Sequence, residues 1–298
     1  MQRKILVTAL AVMLAVPLLS HAVSVGPVRL EYTVDPGKSV QGQLYLKNDS
    51  SVTQTFYPSF EKFTENNGQK VFSKESSDLA TWFRMPASVT LAPDEYQYIP
   101  FTIKVPQNAP PGGHFAVIWW SNAPPGGDSS QVAIVTRAGI LVYVTVTGNV
   151  KETGTIKSFA PTTWFFTDTP LKFALKFQNS GNTYLKPTGV LKLQSLFGGT
   201  VAQAPVNDLR ANIFPGTDKV FNLEIDPPGP TFGLYHAVVD VTYGSLSTST
   251  ASAGAWFIAA PLGILLPIIL ALILIIFVIP KGLRKYNSWV IKKASGKR

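Results

Sequence analysis

Alternation of apolar and polar residues, rather than helical spacing, dominates the chain between residues 23 and 252. Short runs with this period of two are typical of strands that bury one face. Such runs occupy residues 28–34, 41–47, 96–105, 114–120, 131–146, 171–178, 220–225 and 234–243. Most of them are bounded by Gly, Pro, Asn or Asp, and many short strands joined by such turns predict a β-sandwich or a barrel.

A weak internal repeat divides this β-rich region into two halves, offset by about 120 residues. Residues 91–93 (LAP) precede one strand and a Pro/Gly loop, and residues 213–215 (IFP) precede a similar strand and loop. A second echo pairs residues 44–48 with residues 175–179, each an apolar strand that ends at Asn. The repeat predicts an all-β fold of two tandem immunoglobulin-like β-sandwiches, at residues 23–150 and 151–255, with residues 245–254 as a last strand or a short stalk.

Two apolar segments predict the topology. Residues 1–22 combine Arg3 and Lys4, an apolar run and a small residue at Ala22, as a cleaved signal peptide does. Residues 256–280 are predicted as one transmembrane helix, since 15 of the 18 residues from 262 to 279 are Leu, Ile, Phe or Val. The tail, residues 281–298, carries seven basic residues and no acidic one. By the positive-inside rule this tail is cytoplasmic, which predicts a single-pass type I membrane protein with an extracytoplasmic body.

The net charge of +9 does not indicate nucleic-acid binding. Nine of the 26 basic residues lie in the two terminal segments, and the other 17 are matched by 17 acidic residues. A formally neutral body offers no electrostatic footprint for a phosphate backbone. The chain has no cysteine, so its domains depend on their cores, as in bacterial or archaeal surface proteins.

Residues for catalysis or for a cofactor are not apparent. Only His114 and His236 follow the predicted signal peptide, and both are predicted to be structural strand residues. A metal site needs three or four ligands, and no His/Cys cluster occurs. One Ser-x-x-Lys match, Ser59 to Lys62, lacks the companion motifs of a hydrolase. The sequence therefore predicts no enzyme, no cofactor and no metal site.

Aromatic residues are the remaining candidates for binding. Trp119 and Trp120 are adjacent on a predicted strand, so one should be in the core and the other outside. With the neighbouring Asn122 they form the predicted ligand-binding site, because an exposed Trp marks many binding surfaces, including those for sugars. Trp164 to Phe166 are predicted to pack in the core or between domains, with a partner site as the alternative.

The chain resembles the WxL-interacting surface proteins of Gram-positive bacteria. Turn-and-strand motifs carry the resemblance: Pro36-Gly37-Lys38-Ser39, Lys47-Asn48-Asp49-Ser50, residues 85–93 (MPASVTLAP), Gly113-His114-Phe115-Ala116-Val117-Ile118, Asn179-Ser180-Gly181-Asn182 and Phe232-Gly233-Leu234-Tyr235. The resemblance implies a peptidoglycan-binding first module, a second host-binding module, and a C-terminal membrane anchor. It assigns no residue to binding.

Three functions follow as hypotheses. The first is a non-catalytic, membrane-anchored surface protein that binds cell-envelope polymer or another surface protein. The second is a membrane-tethered chaperone or assembly factor for surface structures, which an exposed edge strand with alternating apolar pockets would favour. The third is an accessory structural subunit of a membrane complex, with the apolar helix making helix–helix contacts.

Overall fold

The computed structural model describes residues 23–66, 69–73, 77–124, 135–229, 231–245 and 247–296, and the alternating runs contain strands within these residues. The predicted signal peptide lies outside the described residues. Two units are distinct. Unit 1 contains the described residues up to Lys151 together with Gly181–Thr183, and unit 2 contains Glu152–Ser180 and the described residues from Tyr184 onward.

Unit 1 is a sandwich of two sheets. Its strands are β1 (Val23–Gly26), β2 (Arg29–Val34), β3 (Ser39–Asn48), β4 (Gln54–Asn66), β5 (Gln69–Ser73), β6 (Phe83–Arg84), β7 (Val89–Leu91), β8 (Tyr96–Lys104), β9 (Gly112–Ser121) and β10 (Arg137–Val146), with a 3₁₀ turn at Asp78–Thr81. One sheet has the order β1-β3-β8-β6 and the other β2-β10-β9-β4-β5, with β7 also paired to β4. Only the β2–β10 pair is parallel among these described strands. The inward residues of both sheets form one apolar core.

Unit 2 repeats this arrangement. Its strands are β11 (Gly154–Pro161), β12 (Phe165–Phe166), β13 (Leu171–Asn179), β14 (Thr188–Ser195), β15 (Thr200–Val206), β16 (Asp218–Ile225), β17 (Gly233–Tyr243) and β18 (Ser249–Ala259). The sheets have the orders β11-β13-β16 and β12-β18-β17-β14-β15. Each order matches that of unit 1, strand for strand, apart from the extra β6 and β7. The predicted fold class of two tandem immunoglobulin-like sandwiches followed by one apolar helix is confirmed.

A buried asparagine explains one of the sequence echoes. Asn48 ends β3, and its Nδ2 donates hydrogen bonds to the carbonyl oxygens of Val52 (2.8 Å), Leu91 (3.1 Å) and Ala92 (3.0 Å). Its Oδ1 accepts hydrogen bonds from the backbone N and the Oγ of Ser50. Buried carbonyl groups need such donors, so the side chain ties two connections to the end of the strand.

Asn179 occupies the equivalent position at the end of β13. It is also fully buried, and its Nδ2 donates to the carbonyl oxygen of Ile213 at 2.9 Å. Ile213 belongs to the repeated segment that matches Leu91 in the sequence. The repeat in the sequence therefore records the same internal hydrogen-bonded tie in both sandwiches.

The C-terminal segment is helical. It comprises α1 (Leu262–Ile273), a π-helical segment (Leu274–Val278) and α2 (Ile279–Ser295). From Leu262 to Ile291 it is long and apolar enough to cross a membrane, and none of its most apolar stretch is buried inside the protein. An all-round apolar helix without protein cover is typical of a membrane span.

The predicted start of this helix at residue 256 is wrong. Trp256 and Phe257 belong to β18, which continues to Ala259 and pairs with β17 along its whole length. Trp256 stacks on His236 with ring centroids 4.4 Å apart, and the side chain of Phe257 is buried in the core. The last strand therefore continues past the point at which the sequence becomes mainly apolar. Residues 245–254 contain the first part of this strand and are not a stalk.

Candidate functional site

The predicted ligand-binding residues lie at one end of β9, on opposite faces of the sheet. Trp120 is fully buried (0% exposed) in the core of unit 1, so its prediction as a ligand-binding residue is wrong. Trp119 points to the outer face and is half-buried. Successive side chains of a strand point to opposite faces of the sheet. One indole is therefore in the core and the other outside, as the sequence predicted. Asn122 follows the strand, and its Oδ1 accepts a hydrogen bond from the backbone N of Thr136.

Three protein side chains already contact Trp119. The Arg137 guanidinium lies 4.2 Å from the ring centroid, and Phe72 packs edge-on at 5.2 Å. The indole Nε1 donates a hydrogen bond to Glu61 at 3.0 Å. These contacts leave little of the ring for stacking on a sugar. Ligand binding at Trp119 and Asn122 stays a prediction.

A charged cluster lies beside the start of β9. The Nδ1 of His114 lies 2.5 Å from Oδ1 of Asp78, its Nε2 lies 2.9 Å from the carbonyl oxygen of Pro110, and Trp82 packs against the ring. Lys62 lies 3.5 Å from the other oxygen of Asp78. When Asp78 is ionised, both ring nitrogens face acceptors, so this geometry favours the imidazolium form of His114, in which both nitrogens donate.

The pKa values of this pair shift in opposite directions. Burial alone would lower the pKa of His114, but hydrogen bonds to Asp78 and to the Pro110 carbonyl raise it above its ordinary value. Burial likewise opposes the charge of Asp78, but hydrogen bonding and attraction to His114, together with Lys62, hold the pKa of this carboxyl below its ordinary value. The pair cross-links a strand to the 3₁₀ turn, which is a structural role. Among the described residues, no group of three His, Cys, Asp or Glu side chains is placed to hold a metal ion.

A strand edge without a hydrogen-bonded neighbour over most of its length distinguishes unit 2 from unit 1, although β11 packs close to it. In unit 1, β2 pairs with the last strand, β10, over six residues from Leu141 to Val146. In unit 2 the equivalent strand β12 pairs with β18 at Ile258 and Ala259 alone. Over the rest of its length, from Ser249 to Phe257, β18 has β17 on one side and no paired strand on the other among the described residues. We call this stretch the β18 edge.

The direction of the β18 backbone groups follows from two hydrogen bonds. The N–H groups of Ile258 and Ala260 donate to the carbonyl oxygens of Trp164 and Phe166, on the side away from β17. Backbone groups alternate in direction along a strand, and the register with β17 has no bulge. The N–H and C=O groups of residues 250, 252, 254 and 256 therefore point outward from the β18 edge.

From Ser249 to Ala255 the side chains of the β18 edge are small and uncharged. Thr250, Ser252 and Gly254 face solvent, and Ala251, Ala253 and Ala255 face inward but are only half-buried. Natural edge strands are commonly protected by Lys, Pro, bulges or shortness. None of these devices occurs between Ser249 and Phe257. The inward side chains of Ala251 and Ala253 pack against the core of unit 2.

A second exposed surface lies on the outer face of the β1-β3-β8 sheet. Tyr96 and Tyr98 are 58% and 59% exposed, and each packs against Tyr45, with ring centroids 5.5 and 5.9 Å apart. Beside them is a shallow depression of about 500 Å³, lined in part by Pro27 and Gln43. We call these three rings the tyrosine face.

Sequence reasoning missed both surfaces for different reasons. The spacing of Tyr96 and Tyr98 by two residues at the start of a strand indicates a shared face, and this signal was available. The β18 edge had no comparable signal in the sequence, because it arises from the shortness of β12, which pairs with few residues of β18. Small, uncharged residues in the last strand were the only hint.

Comparisons with known proteins give a weak likeness of fold. No protein-family model matches the chain, and no curated protein matches it. Among solved structures, the class 5 fimbriae chaperone CfaA is 11% identical with a TM-score of 0.44, covering 80% of this chain and 100% of that one. A chaperone–tip adhesin complex of CFA/I fimbriae gives 12% and 0.42, covering 80% and 99%, and the E. coli chaperone DraB gives 16% and 0.37, covering 80% and 98%. At these values no conclusion about function follows.

Proposed function

We propose that this protein is a non-catalytic, membrane-tethered assembly factor that holds an extended segment of a partner protein by β-strand addition. The single observation that carries the proposal is the β18 edge. Outward N–H and C=O groups at residues 250, 252, 254 and 256 offer a ready ladder for one more strand. The apolar helix after β18 tethers the module, with the two sandwiches outside the cytoplasm and the basic tail inside.

The composition of the edge favours a strand rather than another ligand. An edge of this length without charge or proline is normally a site of aggregation, so a chain that retains it gains from having it covered. A partner strand would place alternate side chains beside Ala251, Ala253 and Ala255, whose small size limits steric conflict at those positions.

Substitution of Ser252 by proline tests the proposal. The ring removes one outward N–H and adds bulk on that side, while the β17 ladder, which uses the odd-numbered residues, is kept. With a photo-crosslinking amino acid at position 250 of the full-length protein in its own cells, the wild type is expected to give a discrete protein adduct. Ser252→Pro should lower its yield about tenfold, since a lost hydrogen bond plus a steric clash costs about 1.4 kcal/mol or more.

Ser252→Ala is the matched control. It removes the hydroxyl that donates to Asp240 at 2.7 Å but leaves the backbone N–H, so the adduct should persist. Thermal unfolding of both variants shows whether the sandwich is intact. An adduct whose yield is the same in folded Ser252→Pro and wild type would rule out strand addition at this edge.

A second candidate function is binding of cell-envelope polymer, and the tyrosine face favours it. Exposed aromatic rings stack on sugar rings, and their hydroxyl groups supply hydrogen bonds. Tyr96→Ala with Tyr98→Ala should weaken binding to purified cell-wall sacculi about tenfold or more, as expected for central aromatic anchors. Trp164→Ala, an exposed aromatic in unit 2, is the control. Equal sedimentation of both variants with the sacculi would exclude the tyrosine face. Membership of the WxL-interacting family stays a prediction.

A further inference from the structure

One end of the unit 2 sandwich is defined by the strand registers of β14, β17 and β18. Gly233 pairs with Ala259, so the start of β17 lies beside the end of β18. Ser195 pairs with Tyr235, so the turn between β14 and β15 lies at the same end. The chain leaves this end of the sandwich to enter the apolar helix.

The other sheet brings two more connections to this end. Leu171 pairs with Ile225, which places the start of β13 beside the end of β16. Phe165 pairs with Ile258, which places the β11–β13 connection beside the end of β18. We call this the exit end, formed by residues 162–170, 196–199, 226–229, 231–232 and 260–261.

Large apolar side chains project from the exit end into solvent. Phe197 is 96% exposed and Trp164 is 71% exposed, and Leu196 and Phe232 are more than half exposed. In the connections at the opposite end, the exposed large apolar residue among those described is Leu209. Exposed apolar residues that cluster from three separate connections indicate an interaction surface.

The charge of the exit end excludes recognition of phosphate groups. Its residues include Asp168 and Asp226 and no Lys or Arg. Electrostatic attraction to anionic headgroups or nucleic acid requires the opposite sign. Aromatic and aliphatic side chains without basic residues fit the interfacial zone of a neutral bilayer, where Trp and Phe are favoured.

The helix begins directly against this surface. The N–H of Ala260 donates to the carbonyl oxygen of Phe166 at 2.8 Å, and the N–H of Leu262 donates to that of Thr167 at 3.2 Å. Trp164 is three residues before Thr167, which corresponds to at most about 10 Å of extended chain. A helix that enters a bilayer at Leu262 therefore brings the loop of Trp164 to the membrane surface.

We infer that the exit end is a membrane-docking surface whose residues Trp164, Leu196, Phe197 and Phe232 insert into the interfacial zone of the outer leaflet. The inference rests on the tether in the proposed function and adds a second contact with the membrane. It commits to a lipid bilayer as the occupant, because the surface is continuous with the start of the apolar helix. Docking by apolar insertion requires no anionic lipid.

Single cysteines provide the test, because the chain has none of its own. Phe197→Cys, Leu209→Cys and Phe277→Cys, each labelled with the environment-sensitive dye NBD, report on the exit end, the opposite end and the helix. The full-length protein is reconstituted into phosphatidylcholine vesicles with and without nitroxide-labelled lipid. Labels at 197 and 277 should show blue-shifted emission and strong quenching, and the label at 209 should show neither.

Each other outcome overturns a distinct claim. Quenching at 277 with a water-like signal at 197 would refute docking and leave the tether standing. No quenching at 277 would refute the tether and the docking that rests on it. Equal quenching at 197 and 209 would mean that the surface is not specific to the exit end. A rise in quenching at 197 when phosphatidylserine replaces part of the lipid would show electrostatic attraction instead.

Discussion

Replacement of Asn48 by alanine is expected to lower the free energy of unfolding by about 3 kcal/mol or more. The side chain is fully buried and donates to three carbonyl oxygens while accepting two hydrogen bonds from Ser50. Alanine cannot make any of these bonds. The buried carbonyl group of Leu91 loses this donor, whereas that of Ala92 keeps the hydrogen bond from the backbone N of Glu95. An unsatisfied buried group costs about 1–3 kcal/mol, and the cavity adds to this.

Urea unfolding of the full-length protein in detergent, followed by tryptophan fluorescence, measures the change. Asn222→Ala is the matched control, because Asn222 lies on an exposed position of β16 and should change stability by no more than about 0.5 kcal/mol. Asn179→Ala should resemble Asn48→Ala in direction, since both residues make the same kind of tie. A loss below about 1 kcal/mol for Asn48→Ala would mean that water replaces the amide.

The His114–Asp78 pair is expected to make the stability of unit 1 depend on pH at both ends of a window. The pKa of His114 is raised above its ordinary value of 6.5, so its contribution is complete below pH 6.5 and is lost as the pH rises through the folded-state pKa. The pKa of Asp78 is lowered from 3.8, so its contribution is present above that pH and is lost as the pH falls through the folded-state value.

Asp78→Asn isolates the contribution of the pair. The residue has a left-handed backbone conformation (φ 58°), which asparagine tolerates better than alanine does. Loss of one partner of a largely buried ion pair costs about 3–5 kcal/mol, reduced here because the Asp78 side chain keeps some exposure. Chemical denaturation from pH 4 to 9 should show a smaller fall in stability above neutrality for the variant than for wild type. Parallel pH profiles for the two proteins would contradict the assigned ion pair.

The sequence predicted the fold because the information for it is local. Strand period, Pro/Gly turns and the repeated Asn at positions 48 and 179 depend on neighbours in the chain, and the matching sheet orders of the two units follow from them. The predicted start of the helix at residue 256 was wrong because the sequence becomes apolar before the backbone changes from strand to helix. Ser, Ala and Gly, which make up most of the first part of β18, are weak strand formers, so their strand structure depends on pairing with β17.

The candidate site was harder to predict from the sequence than the fold, because it depends on which distant segments do or do not come together. Trp119 attracts attention in the sequence, yet Arg137, Phe72 and Glu61 surround it, and these residues are distant in the chain. The β18 edge exists because β12 contributes only two residues to pairing. No single segment of the sequence carries that information, since an edge is defined by what does not pair with it.

The short connection between β18 and the helix would keep the unit 2 sandwich close to a membrane that the helix spans. Only Ala260 and Pro261 separate the two elements, and the backbone of Ala260 is hydrogen-bonded to the sandwich. The nine residues of the β18 edge extend over about 30 Å at about 3.3 Å per residue. If the protein holds a client strand as proposed, that strand would lie within roughly that distance of the lipid, which would favour segments close to the membrane over ones far out in the wall.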